Sequence, residues 1–341
     1  MLPRTLQERQ ERVRPRRVTS MAGATRRGIL GCLVAVPLYA LSPARAGEPL
    51  EVVTTISQLA DAAQRIGGER VRVRSLMGEG VDPHTYRQTR SDILALHRAD
   101  LVLWNGLYLE AQMEGLLREM GEGKAVVAVA ETLPPKLLLS HPAFPGKHDP
   151  HVWMDVALWS RVVAAVRDAL AAADADGRDL YATNAAAYLA ELQALDAYAR
   201  RVLASVPEDE RIVISAHDAF GYFGRAYGYE VIGIQGLSTE SEAGLAQVER
   251  LVELIVGRGI KAVFVETSVA ERNVRALVEG AAARGHSVAI GGALFSDAMG
   301  APGTYEGTYV GMIDHNVSVI ARALGGAVPE GGLNGRLHLP S

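Results

Sequence analysis

The sequence predicts an α/β protein with two four-stranded parallel-sheet βα lobes joined by one long rigid helix. Three observations carry this. Short apolar runs alternate with helical patterns, the scheme occurs four times in each half, and one helical stretch without Gly or Pro separates the halves. A length of 341 residues also suits two domains, at about 100–200 residues each.

In the first half the strand candidates are Leu50–Thr55, Val71–Leu76, Asp100–Trp104 and Ala125–Val129, with helices near 57–67, 89–98, 107–120 and 154–173. In the second half the strand candidates are Arg211–Ser215, Glu230–Ile234, Ala262–Glu266 and Ser287–Gly291. The helices there fall near 218–227, 242–258, 270–284 and 308–323. Residues 47–178 and 207–341 are thus expected to form the two lobes, each burying its own core. Between them, residues 179–206 place Leu180, Tyr188, Leu192, Leu195, Tyr198, Val202 and Leu203 at helical spacing. A helix of that length spans about 40 Å, which predicts restrained rocking of the lobes rather than wide opening.

Residues 1–46 are of a different kind. They hold nine arginines and two acids, Glu8 and Glu11. Arg26 and Arg27 precede an apolar run from Gly28 to Leu41, and Ala44-Arg45-Ala46 closes it, which describes a secretory signal peptide. The run is shorter than the about 20 residues of a membrane-spanning helix, so the mature chain is expected to carry no integral membrane segment. Met21 is an alternative start, because Met21–Ala46 is a complete signal by itself. Thr25–Leu30 matches a twin-arginine pattern, but ordinary signals also pair arginines, so both export routes stay open. The only cysteine, Cys32, precedes most of the apolar run instead of following it, which argues against a lipoprotein. A single cysteine also excludes an internal disulfide and a cysteine-based zinc site. The expected compartment is a bacterial periplasm.

The formal net charge of −4 averages two unlike parts. Without residues 1–46, 26 basic and 37 acidic side chains remain, a net −11. A chain this acidic is not built for nucleic acid or anionic lipid and attracts cations. With 6% aromatic residues it offers no stacking platform for sugars or bases.

Open α/β sheets bind ligands beyond the carboxyl ends of their strands. His84 falls there after the second strand, His151 after the fourth, His217 directly after the first strand of the second half, and Asp297 after the last. Two come from each lobe, so they are positioned to meet in the cleft. Three imidazoles and a carboxylate suit a borderline divalent metal. His84 and His151 each close an Asp-Pro-His triplet, in which proline stiffens the turn that presents the imidazole. His97, His141, His286, His315 and His338 lack this setting, and His148 lies in a Pro/Gly/Lys-rich stretch and is left out.

These residues sit in VDPHTYRQTRSD, ADLVLWNGLYLE, DPHVWMDV, ISAHDAFGYFGRAYG, FVETSV, LFSDAMG and TYEGTYVGMIDHN. In these motifs, over nearly all of residues 50–325, the sequence resembles the metal-specific cluster A-I solute-binding proteins of bacterial ABC transporters, most closely the TroA-like members. The resemblance implies zinc or manganese capture, metal ligands at His84, His151, His217 and Asp297, and two lobes bridged by a long helix. It also implies a permease and its ATPase as partners, with the binding protein acting as a monomer. Manganese-dedicated members generally carry Glu where this chain has His217, and zinc-dedicated members often carry a long His-rich loop where Leu137–Asp149 is short.

The alternatives are a periplasmic zinc-dependent hydrolase and a family-related adhesin. Four protein ligands leave little room for the open position of a catalytic zinc. No HExxH, GxSxG or Walker A pattern occurs. Glu266 is the one obvious general-base candidate, and hydrogen bonding to a ligand histidine is its more natural role. No catalytic residue or catalytic cofactor is expected, and nothing in the sequence supports adhesion.

Overall fold

A computed structural model of the chain describes residues 48–140 and 146–338. The signal-peptide reading of residues 1–46 and His141 lie outside the described residues.

The first half alternates β1 (Leu50–Thr54), α1 (Ser57–Gly67), β2 (Val71–Ser75), α2 (Arg90–Arg98), β3 (Leu101–Trp104), α3 (Glu114–Gly121), β4 (Val126–Ala128) and α4 (Val156–Ala173). Its strands form one parallel sheet in the order β2-β1-β3-β4. After α5 (Arg178–Leu203) come β5 (Ile212–Ser215), α6 (Gly221–Tyr227), β6 (Glu230–Gly233), α7 (Leu245–Arg258), β7 (Ala262–Glu266), α8 (Arg272–Ala283), β8 (Ala289–Leu294) and α9 (Tyr309–Ala323). β5 lies beside β7, so the second half repeats the strand order of the first as β6-β5-β7-β8. Its ladder differs from the expected single sheet: hydrogen bonds join the strands in two parallel pairs, β5 with β6 and β7 with β8.

Two element boundaries depart from the sequence reading for visible reasons. The helix expected over 107–120 begins only at Glu114. The buried Glu110 carboxylate accepts the backbone N–H groups of Asn105 (2.8 Å) and Gly106 (3.1 Å) and the Thr55 hydroxyl (2.6 Å). This closes residues 105–110 into a turn with Leu107 and Tyr108 at φ 55° and 71°. Left-handed backbone at such side chains costs about 1–3 kcal/mol each, so the turn depends on the Glu110 bonds. Burial pushes the Glu110 carboxyl up to about 7 against those three donors. Replacing Glu110 by Ala orphans all three, and the chain should lose at least about 2 kcal/mol of stability in urea denaturation. An unchanged denaturation midpoint would show that the turn holds without it.

The last strand, expected over Ser287–Gly291, runs instead from Ala289 to Leu294, past Gly291 and Gly292. Register slips between Val263 and Phe264, so Gly292 faces Phe264 and Gly291 is passed over. A Cβ at Gly291 would lie 2.8 Å from the Phe264 ring and from Ala323, and one at Gly292 would lie 2.7 Å from Val319. These glycines form a bulge that lets α9 approach the sheet.

α5 buries Tyr181, Tyr188, Leu192, Leu195, Tyr198 and Val202. It packs against α1 and α4 of the first half and against α9 of the second. One hydrophobic core therefore runs through both halves, from Val52 and Trp159 to Phe264 and Tyr309. Smaller cores lie apart from it: one under β5 and β7 with Val252 and Ile255, and another with Leu96 and Leu117. The expectation of two self-contained cores is thus corrected. Among the described residues, no helix is long and apolar enough to cross a membrane.

Candidate metal centre

Two of the site loops are held by a bond from their own sequence, and two by a residue from elsewhere in the chain. After β2, the Asp82 carboxylate accepts the His84 N–H at 2.9 Å. A capping box at Thr89 and Asp92 then starts α2, and Tyr86 donates to Asp92 at 2.7 Å. After the fourth strand, the Asp149 carboxylate accepts the His151 N–H at 2.9 Å, and Asp155 caps α4 through the Leu158 N–H at 3.1 Å. His217 follows β5, and its N–H reaches the Glu266 carboxylate at the end of β7 at 2.8 Å. Asp297 follows β8, and its carbonyl accepts the Gln58 amide from α1 at 3.0 Å.

The four positions singled out in the sequence come together. His84, His151, His217 and Asp297 are all buried, and each offers one ligand atom within 4.8 Å of the others. His151 Nε2 lies 3.2 Å from His84 Nε2 and 3.4 Å from His217 Nε2. From the Asp297 carboxylate, the Nε2 atoms of His217, His151 and His84 lie 3.3, 3.4 and 3.9 Å away. Neither Asp297 oxygen has a hydrogen-bond partner, although both are buried. Among the described residues of the metal-free protein, only the His217 and His151 imidazoles oppose the Asp297 charge, and a cation at the centre of the cluster would take over that role.

The outward nitrogens orient the rings. His151 Nδ1 meets Asp149 at 2.8 Å, and His217 Nδ1 meets Glu266 at 2.6 Å. A carboxylate at Nδ1 takes the N–H there, so that the Nε2 lone pair faces the cluster once that nitrogen gives up its proton, the arrangement that metal-binding histidines use. Both Glu266 oxygens are engaged by His217, so Glu266 is a positioning group rather than a free base. In the triplets, proline was the residue the sequence pointed to. The aspartates, which hold the histidine backbone and, at His151, the ring, carry more of the site.

Charge follows geometry. Burial draws the His151 imidazole down, but the Asp149 and Asp297 carboxylates prevail and raise it to about 9. His217 is likewise raised well above its usual range, with Glu266 and Asp297 outweighing burial. His84 is lowered to about 3, chiefly by burial, with His151 and His217 adding to the effect. Burial opposes ionisation of Asp297, yet His217 and His151 hold it well below the ordinary carboxylate range. Among the other histidines, His286 and His315 bond the carbonyls of Ile260 (2.7 Å) and Ala293 (3.0 Å), away from the cluster.

Fold and site define a two-lobed α/β binding protein with, between the lobes, a cluster of three histidines and one aspartate that could hold a metal. Residues 52–323 match the family described as ZnuA, zinc-uptake complex component A, periplasmic, and the chain belongs to that family. It is 49% identical over 280 residues to the manganese-binding lipoprotein MntA of Bacillus subtilis, covering 82% of this chain and 91% of that protein. It is 48% identical over 278 residues to the zinc-binding protein TroA of Treponema pallidum, covering 82% and 89%. The solved structure of that periplasmic zinc-binding TroA matches with a TM-score of 0.79, covering 82% of this chain and 99% of that one. Fe(III)-bound YtgA from Chlamydia trachomatis matches with a TM-score of 0.73 at 28% identity, covering 82% and 100%.

Proposed function

We propose that the chain is the exported, extracytoplasmic binding component of an ABC transporter. It captures Zn²⁺ or Mn²⁺ and delivers it to a membrane permease driven by a cytoplasmic ATPase. One observation carries the reading: three imidazole nitrogens and the buried Asp297 carboxylate, which makes no regular hydrogen bond, lie within 4.8 Å of one another. His84 and His151 come from the first lobe and His217 and Asp297 from the second, so a bound cation ties the two together. The names of relatives, which specify manganese for one and zinc for another, support a divalent transition metal as cargo. A transport family, with all four cluster groups directed at the cation, also favours a carrier over a hydrolase.

Three imidazoles rank zinc above manganese, because nitrogen ligands and the order of divalent affinities both favour it. The second Asp297 oxygen offers a fifth ligand through which the site accepts Mn²⁺. In competition titration the metal-free protein should bind one equivalent of Zn²⁺ more tightly than Mn²⁺. Tighter manganese binding would reverse the ranking, and no saturable binding of either would remove the function.

A further inference from the structure

The two halves are joined near the site by two unlike sets of contacts. The buried set includes the Trp153 indole N–H on the Ser296 carbonyl (2.8 Å), the Tyr309 hydroxyl on the Trp153 carbonyl (2.7 Å), the Tyr222 hydroxyl on the Asp149 carbonyl (2.8 Å) and the Gln58 amide on the Asp297 carbonyl. These lie against the shared core and have no access to water that could replace them. The second set is at the rim and belongs to the segment between β6 and α7. There the Thr239 hydroxyl donates to Asp82 at 2.5 Å, and the Gln112 amide donates to Glu240.

Asp82 is the residue that also presents His84. One oxygen accepts the His84 N–H, and the other accepts both the Thr239 and the Thr85 hydroxyls. Leu237 and Ser238, next to Thr239, line the same surface depression as His84. His84 also stands farthest of the three histidines from Asp297. The backbone of the histidine farthest from Asp297 and the rim contact between halves therefore share one carboxylate.

We propose that Thr239, acting through Asp82, is a latch that sets the rate at which the bound cation leaves. This rests on reading the His84, His151, His217 and Asp297 cluster as the cation site. Breaking the Thr239–Asp82 bond loosens the holder of His84 and lifts the 237–240 segment from beside it. The ligand set itself is untouched, so release is affected more than capture. Thr239 is a positioning residue, because it reaches the cation only through Asp82 and His84.

The test is stopped-flow dissociation of Zn²⁺ into excess chelator, paired with association rates, for the unaltered protein, Thr239→Val and Thr239→Ser. Thr239→Val should speed dissociation about tenfold, the factor an ordinary charge-assisted hydrogen bond supplies. Association, the melting temperature and the Co²⁺ absorption spectrum should not change. Thr239→Ser, which keeps the hydroxyl, should dissociate at the unaltered rate. Dissociation insensitive to Thr239→Val overturns the latch, as does a serine variant as fast as the valine one or a changed Co²⁺ spectrum. Failure of the unaltered protein to bind Zn²⁺ overturns the site reading and the latch together.

Discussion

Replacing His217 by Ala should weaken Zn²⁺ binding by more than about 100-fold, or about 2.8 kcal/mol, in calorimetry at neutral pH. The imidazole is fully buried and its Nε2 lies 3.3 Å from the Asp297 carboxylate, with no other described side chain placed to substitute for it. The loss should exceed that of Glu266→Gln, which keeps His217 but removes the carboxylate from its Nδ1. Losing an outer partner of that kind typically costs about 10–100-fold. The chain should still fold, because the core shared by the halves runs through α5 and α9 and does not include His217; circular dichroism checks this. An unchanged affinity in a folded His217→Ala variant would exclude His217 from the site. Equal losses in the two variants would mean that Glu266 does more than orient the ring.

Zn²⁺ uptake at pH 7 should release about two protons per ion. In the metal-free protein His151 is raised to about 9 and His217 well above its ordinary range, so both carry a proton that the metal must displace. His84, lowered to about 3, carries none at neutral pH. Affinity should accordingly fall with pH, by up to about 100-fold per unit in the range where both protons compete. Calorimetry in buffers of different ionisation enthalpy reads the proton count directly, and heats independent of buffer would contradict it. The stability of the metal-free protein follows the opposite course. A histidine whose folded pKa is raised stabilises the fold fully below its unfolded value of about 6.5 and loses that contribution as pH rises through about 9. The metal-free melting temperature should therefore fall between pH 6.5 and 9.5, while the zinc-loaded protein should not follow it.

Much of this was legible in the chain. Alternating apolar runs marked every β-strand and α-helix of the described residues, though none of the short 3-10 turns between them, and β7 has the bounds expected of it. The four cluster residues were legible because parallel sheets present ligands at the carboxyl ends of their strands, a rule that needs no knowledge of pairing. In each departure a distant partner takes part. The Gly291–Gly292 bulge and the paired ladder of the second half answer to partners distant in sequence, and the 105–110 turn combines two local bonds with one to Thr55, 55 residues away from Glu110. Periodicity records which face of one element is buried, not what it is buried against.

The sequence by itself determined the α/β class, the elements in their order, the position of α5 and the residues that could bind a cation. The tertiary structure alone decided that the halves share a core and which histidine the Glu266 carboxylate, expected to bond one of them, would hold: His217, 49 residues away, at its Nδ1. It also decided that Asp149 turns the His151 ring and that Asp82 joins His84 to the opposite lobe. Ligand type is a property of single residues and can be read one at a time. Ring orientation, proton load and rate of release depend on pairs of groups across folded space, and only the completed packing brings those pairs together.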